Sequence, residues 1–377
     1  MRNYLKMISA GTSAVLMAAC SGKTEVKLIP EDNFAVSLDG KDIGLYTLKA
    51  GKLTMQVTNY GARVVSLWTP DRKGNLDDIV LGYDNIDKYL DNPGERFLGA
   101  VVGPYANRIA GGTMEIDGEV YTMPQNDNGQ TLHGGLKGLD KVIWDVVAVD
   151  DSTIVFNYVH PDGQDGYPGN IDIMMVYELN SDNEFKVSYL AETDKKTFVN
   201  ISHHSFFNLK GEGKGDVLDN VMVINASHTT PVDNFLIPTG QIADVTGTPF
   251  DFREPHTIGE RIGVENDQLA NGRGYDHNWV LDRKSDNGVE FAASVYEPGC
   301  GRFLEVFTDQ PALQFYSGNF FDGKTQGKYG DDLRYRESIA LETQKYPDSP
   351  HHSNFPSTSL APGETYTHTC VYRFSVK

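Results

Sequence analysis

"IDIMMVYELNSDNEFKVSYLAET", running from Ile171 to Thr193, decides the fold class of this 377-residue chain. Apolar side chains fall at Ile171, Ile173, Met175, Tyr177 and Leu179, and again at Phe185, Val187, Tyr189 and Ala191. A period of two sends successive side chains to opposite faces, the pattern of a strand with one buried face. The intervening "NSDNE" has the residue types of a tight reversal. The stretch predicts an antiparallel hairpin.

The pattern repeats in both directions. "KLTMQVTN" (from Lys52), "TIVFNYVH" (from Thr153), "GVEFAASVYE" (from Gly288) and "YTHTCVYRFSV" (from Tyr366) alternate in the same way. Between such runs lie "DGKD", "NDNGQ", "PDGQDGYPGN" and "APGET", all turn chemistry. One helix of a turn or two is expected, near "NIDKYLD" (from Asn85). No Pro- or Ser-rich linker, charge block or short-period repeat divides the chain. The expectation is all-β: one large antiparallel β-sandwich over residues 36–377.

The first residues, "MRNYLKMISAGTSAVLMAAC", have a short basic start (Arg2, Lys6), an apolar stretch and small residues before Cys20. This reads as a secretory signal over 1–19. The cysteine after small residues resembles a bacterial lipobox, so Cys20 is the expected site of lipidation and 20–35 the expected polar leash. No other run approaches the roughly 18 apolar residues of a membrane span. The expected location is extracytoplasmic and facing the periplasm, with the membrane touched only through the lipid, and the expected state is a monomer. Loss of Arg2 and Lys6 with the signal takes the net charge from −19 to −21. Such a body repels nucleic acid and anionic lipid and suits a neutral partner. Cys300 and Cys370 are then the remaining cysteines, and their pairing is left open.

Six segments stand apart from strand and turn. "GAVVGPYANRIAGGTMEIDG" places Asn107 and Arg108 after a Gly-Pro turn, and an arginine between apolar residues must meet a carboxylate or line a polar cleft. "TLHGGLKGLDKVIWDV" places His133 before two glycines that permit close backbone approach. "FVNISHHSFFNLKGEG" contains the doublet His203–His204, whose imidazoles must face opposite ways if the stretch is extended. In "GYDHNWVLD", Asp276 and Asn278 share one face, with His277 and Trp279 on the other. "PALQFYSGNFFDG" holds Gln314 among aromatics. In "RESIALETQKYPDSPHHSNFP", Glu342 interrupts an otherwise apolar strand, the least strand-like choice available. His351 and His352 read as a solvated loop. Phe206, Phe207, Tyr316 and Trp279 lie beside these polar residues and read singly as core. The chain has no HExxH, CxxC, Walker loop, dinucleotide fingerprint or GxSxG elbow, so no metal and no cofactor are expected.

Together, "VLGYDNIDKYL", "GPYANRIAGG", "LHGG", "DGYPGNI", "HHSFFNL", "PVDNFLIPTG", "YDHNW", "QFYSGNF" and "LETQKYPDSPHHSNFPS" resemble the aldose 1-epimerase (galactose mutarotase) family, in order, from about Ile43 to the C-terminus. The resemblance implies a single β-supersandwich and the interconversion of α and β anomers of hexoses such as galactose and glucose. By motif it implies His204 as general acid at the sugar ring oxygen and Glu342 as general base at the anomeric hydroxyl. Asn107, Arg108, His133, Asp276 and Gln314 fall where family members hold sugar hydroxyls. This chain departs in one slot: the family's asparagine before the catalytic histidine is His203 here, and a structural role is expected for it. Two other readings compete: a glycosidase using Glu342 and Asp276 as its carboxylate pair, and a non-catalytic tethered glycan-binding lipoprotein on the same fold.

Overall fold

The computed structural model describes residues 26–91, 94–285 and 288–377. The signal peptide expected over 1–19 and the lipidation site Cys20 lie outside the described residues.

The opening hairpin forms as read. Ile171–Leu179 pairs antiparallel with Glu184–Thr193, setting Ile173 opposite Ala191, Met175 opposite Tyr189 and Tyr177 opposite Val187. All six are buried, while Asp172, Met174, Leu190 and Glu192 on the other face are exposed. This hairpin lies within a nine-stranded antiparallel sheet. Its order is Asp145–Val149, Thr153–His160, Ile171–Leu179, Glu184–Thr193, Tyr366–Val376, Arg302–Thr308, Glu290–Tyr296, Val221–Ile224 and His256–Thr257.

Two further sheets cover its inner face. One has six strands, in the order Phe206–Phe207, Ile339–Gln344, Ala312–Tyr316, Asp276–Val280, His228–Thr230 and Ala243–Asp244. The other has four: Leu45–Ala50, Leu53–Thr58, Arg63–Pro70 and Leu76–Asp78. All three contribute to one core, the first through Ile173, Met175 and Val187, the second through Trp279, Phe315 and Leu341, the third through Met55 and Leu67. Each such fully buried aliphatic or aromatic side chain stabilises the fold by roughly 1.5–3 kcal/mol. The sandwich of antiparallel sheets is the expected architecture.

Three details differ from expectation. Besides Ile86–Asp91, the chain forms short helices at Ile258–Arg261 and Asp267–Gly272. The last is nucleated by a cap, the Asn266 side chain accepting from the amides of Gln268 and Leu269, a local signal too short for periodicity to reveal. The described part of the expected leash, 26–35, is packed rather than free. Ile29 exchanges two hydrogen bonds with Gln56, and Phe34 is fully buried. His351 and His352 are not simply solvated, since both imidazoles lie against the Asp348 carboxylate, at 2.6 and 3.4 Å.

The two body cysteines are free. Register explains it: Thr308 stands opposite Cys370 and Arg302 opposite Val376. Cys300 therefore sits at the far end of that ladder, and at about 3.3 Å per residue the two sulfurs are well beyond bonding reach.

Candidate active site

The six-stranded sheet has two faces of opposite character. His277, Trp279, Phe315, Ile339 and Leu341 turn inward. Their neighbours turn outward in cross-strand rows. Asn278, Gln314 and Glu342 are direct register partners across three strands, and so are Asp276, Tyr316, Ala340 and Phe206 across four. The lone glutamate of "IALETQ" thus lies in the middle of a polar stripe.

The other wall comes from three segments. Ser202–His204 pairs with Ala100–Val102, with His204 opposite Ala100. His204 turns into the cleft and His203 away from it, as alternation requires. Arg108–Ile109 pairs with Thr131–Leu132, which brings "NRI" beside "LHGG". Asn107 and His133 both adopt positive φ, 65° and 51°. They lock together: the Asn107 amide donates to His133 Nδ1 (3.0 Å), and the His133 amide donates to the Asn107 carbonyl. Gly134, at φ 90°, permits this turn, because a Cβ there would meet the Gly103 carbonyl oxygen at 1.8 Å.

These walls enclose a cleft of about 470 Å³, open mouth included. Asn107, Arg108, His133, His204, Asp276 and Glu342 line it. Gln314 stands one step back and donates to Asp276 Oδ1 (2.7 Å). The seven expected site residues therefore converge. Phe206 and Tyr316 also line the cleft, whereas Phe207 and Trp279 belong to the core. Sequence reasoning missed Glu95, Phe97, Leu132 and Phe320. Phe97 packs edge-on against His133 (4.5 Å) and 6.0 Å from His204, holding both rings, yet a phenylalanine beside a strand carries no signal that separates this role from core.

His204 Nε2 lies 3.4 Å from Glu342 Oε1. His204 Nδ1, Glu342 Oε2 and Gln314 Oε1 are buried without a hydrogen-bond partner. Such orphaned atoms are rare in native proteins and are expected where a ligand completes the set. Arg108 is paired through Nε with Asp127 (2.8 Å), so the arginine both meets a carboxylate and faces the cleft.

Burial governs the charges here. It pushes His204 down to about 3, with the Arg63 guanidinium acting in the same direction. It pushes Glu342 well above the usual carboxylate range, helped by Asp276 and opposed by Arg108. Burial also raises Asp276 and holds His133 well below its ordinary value, with the His204 ring adding to the latter. Desolvation thus outweighs the attraction between an imidazolium and a carboxylate at this pair. His133 is neutral, and since its Nδ1 accepts from an amide, its proton sits on Nε2. The ligating atoms of His133, His204 and Glu342 lie within 4.8 Å of one another, a spacing that would also accept a small cation.

A family model, aldose 1-epimerase, matches residues 44–373. The chain belongs to the aldose 1-epimerase family. It is 41% identical to galactose mutarotase of Bos taurus over 331 residues, 88% of this chain and 94% of that one. It is 37% identical to aldose 1-epimerase of Escherichia coli K12 over 344 residues, 90% and 97% of the two chains. Among solved structures, the aldose epimerase homologue from C. elegans superposes with a TM-score of 0.81 at 29% identity, covering 89% of this chain and 99% of that one. Galactose 1-epimerase from Lactobacillus acidophilus gives 0.78 at 28%, covering 90% and 97%. This epimerase thus joins a scaffold shared with solved relatives to a histidine doublet that its motif resemblance marks as a departure.

Proposed function

We propose that this aldose 1-epimerase interconverts the α and β anomers of a free hexose, galactose or glucose, by acid/base ring opening at His204 and Glu342. One observation carries the assignment of roles: His204 Nε2 and Glu342 Oε1 face a single cleft 3.4 Å apart. The ring oxygen and the anomeric hydroxyl share one carbon, so the groups serving them must open onto one pocket, as these two do.

Glu342 takes the proton of the anomeric hydroxyl while His204 gives one to the ring oxygen. The bond from C1 to the ring oxygen breaks and an open-chain aldehyde forms. Rotation about C1–C2 exposes the other carbonyl face, and reversal of both transfers closes the second anomer. His133, through Nε2–H, Arg108, Asn107 and Asp276 hold hydroxyls, and Gln314 orients Asp276. Two positioned proton-transfer groups each contribute about 10²–10⁴-fold.

A neutral imidazole with a carboxylic acid and an imidazolium with a carboxylate contain the same single proton. Burial favours the first arrangement, and the sugar, by donating to Glu342 and accepting from His204, draws the proton to the imidazole. Activity then requires one proton on the pair. It is lost on the alkaline side when the raised Glu342 acid gives that proton up, and on the acid side only as His204 gains a second, near its depressed value of about 3. Carbon-13 spectra of His204 in the sugar-free protein are expected to show a neutral ring from pH 5 to 8. A charged ring there would overturn this account.

The decisive assay follows optical rotation of freshly dissolved α-galactose and α-glucose. Faster equilibration with protein is the expected result, and an unchanged rate alongside measurable sugar binding would replace catalysis by glycan binding.

The proposal extends to place. Lipidation at Cys20, a periplasm-facing tether and a monomeric body are inferred from the N-terminal motif and composition. Mass spectrometry of the membrane-bound protein tests the first, with an acylated N-terminal Cys20 peptide expected.

A further inference from the structure

The aromatic wall of the cleft does not stop at its mouth. Phe206 meets Tyr316 edge-on at 6.0 Å, and Tyr316 stacks on Phe320 at 5.7 Å and 13°. All three line the cleft, yet Phe320 is 44% exposed. The Arg273 guanidinium lies 5.4 Å over its ring. Tyr335, half exposed, donates to the Arg273 carbonyl (3.4 Å) and carries the Arg336 guanidinium 4.6 Å over its own ring. Two arginines and two exposed rings therefore form one continuous patch, leading outward from the catalytic pair.

The charge of the patch is unusual for this chain. The protein carries a net −19. Every arginine around the inner cleft has an acid: Arg108 has Asp127, and Arg63 and Arg96 share Asp140. No carboxylate lies within 4.0 Å of Arg273 or Arg336 among the described residues; Arg336 Nη2 donates to the Arg273 carbonyl (3.4 Å), and its Nε is buried without a hydrogen-bond partner. Both residues also sit at left-handed φ, 54° and 60°, where a non-glycine residue is uncommon. Unpaired guanidiniums over exposed rings are a site for a planar anionic group joined to an apolar face.

A pyranose bearing a carboxylate has both features. We propose that Phe320, Tyr335, Arg273 and Arg336 form a subsite for a second, anionic sugar ring, so that the enzyme acts on the reducing-end residue of a uronosyl oligosaccharide. The proposal rests on the mutarotase reading, which places the reducing-end ring between His204 and Glu342. The uronosyl ring then lies against the exposed edge of Phe320 at the mouth, since Tyr316 and the Arg273 guanidinium already cover that ring, and its carboxylate meets the guanidiniums.

The test compares anomerisation of glucose, of neutral glucosyl-glucose disaccharides and of the matching glucuronosyl-glucose disaccharides, linked through O4 or O6. At low ionic strength, kcat/KM for at least one uronosyl disaccharide is expected to exceed its neutral match about tenfold. Half-molar salt is expected to erase most of that difference. The double variant Arg273→Asn with Arg336→Asn, using a residue that tolerates left-handed φ, is expected to abolish the preference and leave glucose turnover within twofold. Should the double variant not fold, Arg273→Asn alone, at an exposed position, reads the same preference. Equal rates for uronosyl and neutral partners in every linkage, or a preference that survives the variants, overturns the subsite. Glucose turnover falling in parallel with the uronosyl rate overturns it too. If the unaltered protein fails to speed glucose itself, the mutarotase reading fails separately. Calorimetric binding of the same disaccharides then judges the subsite by the same tenfold preference.

Discussion

Two strands of the sandwich show opposite uses of burial. Ile171–Leu179 alternates: its five inward residues are buried and apolar, and its four outward ones are exposed or half-buried. Ile339–Gln344 is buried at all six positions, although the second half reads Glu342, Thr343, Gln344. Thr343 meets His368 (2.8 Å) and Gln344 donates to Asn278 (3.2 Å), but Glu342 Oε2 has no partner. The first strand is stabilised by what it hides. The second tolerates a buried acid, which costs the fold free energy unless something else completes it. The cleft is therefore a set of groups held ready at the expense of stability, on a scaffold that supplies the surplus.

The sharpest way to break this contrast is to remove the acid. Glu342→Gln keeps shape and deletes the proton acceptor, and a loss of about 10²–10⁴-fold in kcat is expected. His204→Asn is expected to fall by a similar factor. Neither variant should melt earlier by more than a degree or two, because each replaces an imperfectly satisfied buried titratable group by a neutral amide. Polarimetry and thermal melts on the same samples decide it. A Glu342→Gln enzyme of full activity would remove this residue from the reaction.

The complementary change is Met175→Ala in the alternating strand. Met175 is fully buried between the paired strands, and its truncation is expected to cost about 2–5 kcal/mol of stability. Mutarotation per folded molecule is expected to stay unchanged. Urea unfolding gives the first quantity and single-temperature polarimetry below the transition gives the second. A large loss of kcat without loss of stability would mean that the two regions are not separable as claimed.

The same contrast explains what the sequence made legible. The alternating strands were readable because a period of two is local. That Asp276, His204 and Glu342 face opposite to their chain neighbours followed from parity, and which face meets the cleft came from the family resemblance. The cross-strand register that seats Gln314 between Asn278 and Glu342 was not readable, because it is fixed by contacts far apart in the chain. Glu95, Phe97 and Phe320 were invisible for a related reason, since their neighbours are ordinary and only folding brings them to the cleft. The charges of the pair were not readable either, because a sequence does not show how dry the surroundings of a group are.

The smallest of these effects concerns His203, which resembles the cleft in chemistry and the core in position. Tyr177 gives its hydroxyl proton to the Ala62 carbonyl (2.8 Å), so its oxygen accepts from His203 Nδ1 (3.2 Å). Nε2 is then the acceptor for the Ser205 hydroxyl (2.6 Å). The ring is fully satisfied as a neutral imidazole, packed against Phe185 and Tyr372. Burial, with His204 adding to it, pulls its proton affinity down to about 3, against an ordinary value of 6.5. Between those values the unfolded chain binds a proton that the folded protein refuses. The contribution is therefore intact above pH 6.5 and is lost progressively as pH falls, reaching about 2 kcal/mol at pH 5. In His203→Asn the difference in unfolding free energy between pH 7 and pH 5 is expected to shrink by that amount, whatever the variant does to stability at pH 7. Its kcat at pH 7 is expected to stay within a few-fold of the parent, because His204 keeps its place opposite Ala100. An unchanged pH slope would mean that His203 is already charged in the folded state, and the reading of the doublet as one core ring and one cleft ring would fail with it.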